Sequence, residues 1–186
     1  MRKVRRLVWL GLATLLAGCA ASLHPLCTEQ EAVLVPTLAG KYVDEDGGTW
    51  TFTPGESKAY ELAMTQEGEL STWQAYVTNL GTYMFLDLSP APTELEKKVI
   101  EKYAYQPLHV QLLAKLEGDA LQLTAVDTDW LGEQLKQGKL KVNVETTEDS
   151  AFVVLTSATK DLREFFLEAA GNPAAFADPT VLKRVK

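Results

Sequence analysis

Between residues 49 and 78 large apolar side chains recur at every second position. Trp50 and Phe52 alternate with Thr49, Thr51 and Thr53; Tyr60, Leu62 and Met64 alternate with Ala59, Glu61 and Ala63; Trp73, Ala75 and Val77 alternate with Gln74, Tyr76 and Thr78. A period of two puts alternate side chains on opposite faces, so these stretches predict strands with one buried face. Residues 83–88, Tyr-Met-Phe-Leu-Asp-Leu, are apolar on both faces for most of their length, which predicts a strand covered on both sides. Leu108, Val110, Leu112, Ala114 and Leu116 line one face of another strand. Glu117-Gly118-Asp119 reverses it, and Leu121, Leu123 and Ala125 carry the return of a hairpin. Residues 140–145 and 151–156 predict two more strands around the polar turn 146–150.

Elsewhere the period lengthens to that of a helix. Thr93-Glu94-Leu95-Glu96 has the capping-box pattern, in which Thr and the Glu three residues on satisfy each other's backbone donors. It predicts a helix to about residue 103, with Leu95, Val99 and Tyr103 on one face. Asp129 is the expected cap of a helix through Gln137, ended by Gly138. Leu162, Phe165, Phe166 and Ala169 stand at i, i+3, i+4 and i+7, one apolar stripe closed by Gly171 and Pro173. Roughly nine short strands with turns every 8–12 residues predict a mainly β, α+β domain: an antiparallel curved sheet or small barrel with peripheral helices and a C-terminal amphipathic helix. No repeat or linker divides it, so residues 39–186 form one expected globular domain.

The first residues follow another logic. Arg2, Lys3, Arg5 and Arg6 precede an apolar run, residues 7–16, that is well short of the roughly 20 residues a membrane span needs; this is the pattern of a secretory signal peptide. Leu16-Ala17-Gly18-Cys19 closes it and resembles the lipobox of bacterial lipoproteins at every position. The resemblance implies cleavage after residue 18 and acylation of Cys19, with the folded part on the non-cytoplasmic side of a membrane. Two or three acyl chains, at about 0.8 kcal/mol per buried methylene, hold such a protein on a bilayer essentially permanently. In that family an Asp after the Cys tends to retain the protein in the inner membrane. Ala20 stands there, which for a Gram-negative envelope implies the outer membrane, facing the periplasm.

Residues 19–38 then read as a lipidated tether with one local turn, since Thr28-Glu29-Gln30-Glu31 matches the capping box and Pro36 stops it. Cys27 is left as a lone thiol near the anchor, either inert in a core or able to pair with another chain. Removal of the four N-terminal basic residues takes 18 Lys and Arg to 14 against 25 Asp and Glu, so the net charge moves from −7 to −11. A nucleic-acid partner is excluded on that balance, because phosphate backbones are held by clustered Lys and Arg.

The strand count and terminal helix also resemble the calycin or lipocalin class of ligand-binding barrels, in which a Gly-x-Trp on the first strand plugs the closed end. Gly40-Lys41-Tyr42 occupies that place, with Tyr for Trp. The other two motifs of that class are unmatched, and Arg163, the only arginine near the last predicted strand, lies past its end. The resemblance implies an interior that takes a small apolar ligand. Trp50, Tyr60, Trp73, Tyr83 and Phe85 are the candidates to line it; large side chains in so small a barrel equally predict a filled core.

Candidate chemistry adds little. Asp44-Glu45-Asp46-Gly47-Gly48 lacks the later Gly and Glu of a calcium loop and reads as a hairpin turn. His24 and His109 make no zinc motif, and His109 falls opposite the apolar face of its strand, where a solvated or hydrogen-bonded histidine belongs. No Gly-x-Ser-x-Gly elbow or phosphate loop occurs, so neither cofactor nor metal is expected. The reading is a membrane-anchored envelope lipoprotein acting as a non-catalytic interaction module for another envelope protein. A carrier of a small apolar ligand is the alternative, and an enzyme the third choice.

Overall fold

A computed structural model describes residues 20–91, 108–146 and 153–185. The helix expected over residues 93–103 and the residues up to Cys19 lie outside these. The strands are β1 (Ala20–Ser22), β2 (Gly40–Val43), β3 (Thr49–Pro54), β4 (Tyr60–Gln66), β5 (Glu69–Leu80), β6 (Tyr83–Pro90), β7 (His109–Glu117), β8 (Ala120–Ala125), β9 (Val144–Thr146), β10 (Val153–Leu155) and β11 (Thr180–Arg184). Each strand from β2 to β7 pairs antiparallel with the next, and β11 pairs with both β8 and β2. The result is a closed, eight-stranded, up-and-down antiparallel barrel, the mainly β architecture the alternation predicts. Closure leaves no barrel edge unpaired.

Local chemistry sets the register. At the β4–β5 turn Glu67 and Gly68 both have positive φ, 51° and 84°, the backbone of a tight hairpin whose twist matches its strands. That turn fixes Leu62 opposite Trp73 and Tyr60 opposite Ala75. At the β2–β3 turn the Asp44 Oδ1 accepts from the Asp46 and Gly48 amides at 3.1 and 2.7 Å, the hairpin use of this acidic run that its sequence predicts.

Two cores result. Inside the barrel Tyr42, Phe52, Tyr60, Leu62, Leu86, Leu121 and Leu182 are essentially inaccessible. Outside it, β6 and β7 show their other faces, with Phe85 and Leu113, to a second cluster containing Leu26, Leu131, Leu155, Leu162 and Phe166. This explains why residues 83–88 are apolar on both faces. Two helices cover that cluster: α1 (Thr128–Lys136) and α2 (Thr159–Ala170). The α2 stripe is buried as its spacing requires, with Phe166 edge-on to Phe85 at 5.7 Å between centroids.

Several boundaries differ from expectation. Asp127, not Asp129, caps α1: its Oδ1 accepts from the Trp130 amide at 2.7 Å, the third residue on, the spacing a cap needs. Of residues 140–145 only 144 and 145 belong to a strand, because Val142 buries itself in the outer core from irregular backbone. The largest correction concerns residues 20–38. They are not a tether: β1 lies between β7 and β10, Leu26, Cys27, Ala32 and Leu38 are buried, and Val33 N donates to Val77 O at 2.9 Å. A 3-10 helix, Pro36–Leu38, then turns the chain into β2; Pro36 begins this helix, and the turn it was expected to stop already ends at Glu31.

Candidate functional site

β2 and β11 pair beside the 3-10 helix at one end of the barrel. Tyr42 on β2 points inward, and the Arg184 guanidinium of β11 lies over its ring, 4.6 Å from Cζ to centroid. Arg184 Nη1 donates to the Ala39 carbonyl at 2.7 Å, and Nη2 donates to the Thr37 carbonyl and the Tyr42 hydroxyl. Tyr42 in turn donates to the Leu38 carbonyl at 3.0 Å. Burial pushes the Tyr42 phenol above its ordinary value, against the pull of Arg184, so it stays a protonated donor at neutral pH. Gly40 belongs to the same contact: its φ is 141°, and any Cβ there would collide with Arg184 Nη1. Arg184 thus stands on the last strand itself, a strand the sequence pattern does not predict. Arg163 sits on α2, donating to the Leu26 carbonyl at 3.0 Å and 3.7 Å from a Glu31 carboxylate oxygen.

A polar seam runs through the outer core. Asp87 on β6 is 2% exposed; its Oδ1 lies 2.8 Å from His109 Nδ1, and its Oδ2 accepts from the Leu26 amide at 2.5 Å. Gln111 Nε2 donates to Ser22 Oγ at 2.7 Å, and that hydroxyl donates to the His24 carbonyl at 2.6 Å. These bonds tie residues 22–26 to the barrel wall. The buried Gln111 Oε1 accepts nothing. Cys27 lies in the same layer, buried; desolvation first, then the negative Asp87, push its thiol up to about 11, against a hydrogen bond with Thr78. Cys27 is thus a protonated core thiol, and the expectation of an intermolecular one is corrected. His109, as expected, is hydrogen-bonded and faces away from the apolar side of β7. Among the described residues no group of three His, Cys, Asp or Glu could hold a metal ion.

The five aromatic candidates separate. Trp50, Tyr60 and Trp73 belong to the barrel interior; Trp50 Nε1 donates to Asp44 Oδ2 at 3.3 Å, and Tyr60 Oη both donates to Val35 O and accepts from Val35 N. Tyr83 and Phe85 face the outer core and line no common cavity with the others, because β6 presents odd positions outward. Sequence reasoning missed Arg184 and Asp87. The signal for Asp87 was a charge inside an otherwise apolar strand.

Two clefts open at the surface. One, about 330 Å³, runs past the β3–β4 turn; it is lined by Tyr60 and Trp73, two of the barrel-interior candidates, and bordered by Glu29, Glu56, Glu61, Gln74 and Tyr76. The other, about 200 Å³, lies between α1, α2 and the loop after α1. Among the described residues no helix is long and apolar enough to cross a membrane. No family, curated protein or solved structure matches the chain.

Proposed function

We propose that this protein is a membrane-anchored bacterial envelope lipoprotein whose barrel serves as a non-catalytic interaction module. One observation carries the choice of module over carrier: the inward side chains pack against each other, with Tyr42 edge-on to Phe52 at 6.0 Å and Phe52 edge-on to Tyr60 at 6.5 Å. Stacked rings of this size close a small barrel. The outer 330 Å³ cleft with three carboxylates at its border suits a basic partner surface, and steering by a charge of −11 favours the same class. The anchoring half of the reading rests on the lipobox and on acylation of Cys19.

A second reading has its own support. The up-and-down topology and Tyr42 at the plugging position of β2 are the arrangement that the lipocalin resemblance implies, and Trp73, only half-buried at the interior, lines the 330 Å³ cleft together with Tyr60. On that reading the barrel carries a small apolar molecule.

Three measurements separate the readings. Cys19→Ala in the producing cell should leave an unprocessed, unlipidated precursor; a mature N-terminus at Ala21 or later, found by mass spectrometry, refutes the anchor. Native mass spectrometry of the full chain should show no retained small molecule; a ligand that Trp73→Ala releases without unfolding the barrel refutes the module. Crosslinking in intact envelope should capture a protein partner that a Glu29→Lys, Glu56→Lys, Glu61→Lys triple variant loses.

A further inference from the structure

The 200 Å³ crevice between the helices combines an apolar floor with a basic rim in a protein that is acidic overall. Its floor is Trp130, half-buried and tilted against Phe165 at 6.3 Å between ring centroids, with Leu140 and Ala169. Gln134 and Asn172 also line it; the Asn172 Oδ1 accepts from the Ala174 amide at 3.2 Å, which leaves its Nδ2 to donate. Lys139 and Lys141 stand on the loop that follows α1. Lys141 is held by Glu168, 2.8 Å from Nζ to Oε2, whereas Lys139 has no ion pair among the described residues. The rim therefore carries one more positive than negative charge, against a chain charge of −7. The volume falls below the roughly 300–1,000 Å³ of sites for drug-sized molecules, and suits one ring or a short chain with a single polar head.

We propose that this crevice binds a small amphipathic carboxylate, its apolar body lying on Trp130 and Phe165 and its carboxylate between Lys139 and the amides of Gln134 and Asn172. The apolar floor selects against bare anions such as acetate or inorganic phosphate, which have nothing to place there. The charged rim selects against neutral isosteres. A hydrogen bond to a charged head is about twice as strong as one between neutral groups, and it fixes the orientation of the apolar body. The site stands apart from the barrel interior and needs neither reading of it.

The test uses the full chain purified in a non-ionic detergent, with 3-phenylpropionate as probe and its amide and acetate as controls. Titration should shift the Trp130 indole N–H resonance saturably with the acid, and at least about tenfold more weakly with either control. Added salt should weaken the acid alone. Lys139→Gln, at an exposed position away from both cores, should weaken the acid about three- to fivefold, and Lys139→Gln with Lys141→Gln about tenfold. No saturable shift up to about 10 mM acid, equal binding of acid and amide, or unchanged affinity in the double variant each overturns the site.

Discussion

Arg184 joins residues from opposite ends of the sequence: its guanidinium touches Thr37, Ala39 and Tyr42. Three donated bonds and a cation–π contact are concentrated in one side chain, so Arg184→Ala should cost about 2–3 kcal/mol in urea unfolding. Arg184→Lys should recover little, because an ammonium cannot span three acceptors and stack on a ring. A loss below about 0.5 kcal/mol for Arg184→Ala would show the plug held by apolar packing alone. Cys27 supplies a pH signature. Its folded thiol titrates near 11, above the ordinary value of 9.0, so the unfolded chain loses its proton first and stability falls as pH rises through that interval. Below it the contribution is fully present. Urea midpoints measured between pH 8 and 11 should fall more steeply for the wild type than for Cys27→Ala, and Ellman's reagent should label Cys27 only slowly in the native protein. Neither role was readable from sequence. Arg184 gives no sign of what it reaches across 142 residues to touch, and the burial of Cys27 depends on how residues 20–38 fold back.

At the level of elements, the outer core depends on α2. Phe166, 1% exposed and edge-on to both Phe85 and Phe165, should cost about 3–5 kcal/mol when replaced by Ala, read as a shift in the urea midpoint. No measurable change would mean α2 is not docked. Its stripe was legible because a helix on a sheet buries one face at fixed spacing, and the β3 to β8 strands were legible for the same reason at period two. β1 and β11 were not. Ala-Ala-Ser carries almost no hydrophobic contrast, and β11 buries Leu182 alone while Val181 and Lys183 face water. Both strands are held by partners far away in sequence, a constraint no local pattern expresses. The outward faces of β6 were misassigned for a related reason: alternation says that Phe85 and Leu86 point apart, and does not say which side is the barrel interior.

For the whole molecule, the packing of residues 20–38 predicts a result opposite to that of a tether. A chain beginning at Gly40 loses the 3-10 helix whose carbonyls Tyr42 and Arg184 bind, buried Leu26 and Leu38, and the amide that Asp87 binds. Asp87 would then lose the Leu26 amide and Gln111 the Ser22 hydroxyl, and the outer core would be open on one side. Far-ultraviolet circular dichroism and thermal melts of that truncation should show a destabilised or unfolded barrel. A cooperative melt within a few degrees of the full chain would restore the tether. Barrel closure itself was foreseeable only as one of two outcomes, since strand alternation alone does not distinguish a curved sheet from a closed one; the β11 pairing with β2 decides it.

The place of β1 has a mechanical consequence. Ala20 to Ser22 is flanked by β10 on one side, parallel to it, and by β7 on the other, antiparallel. A force applied at the N-terminus along the strand loads the bonds on both flanks in shear, so they resist together instead of opening one at a time. Resistance to such a pull is set by the unfolding rate under load rather than by the folding equilibrium. On the proposed acylation of Cys19, the residue before the strand, a pull on the lipid would reach β7 of the barrel through Ala20 to Ser22.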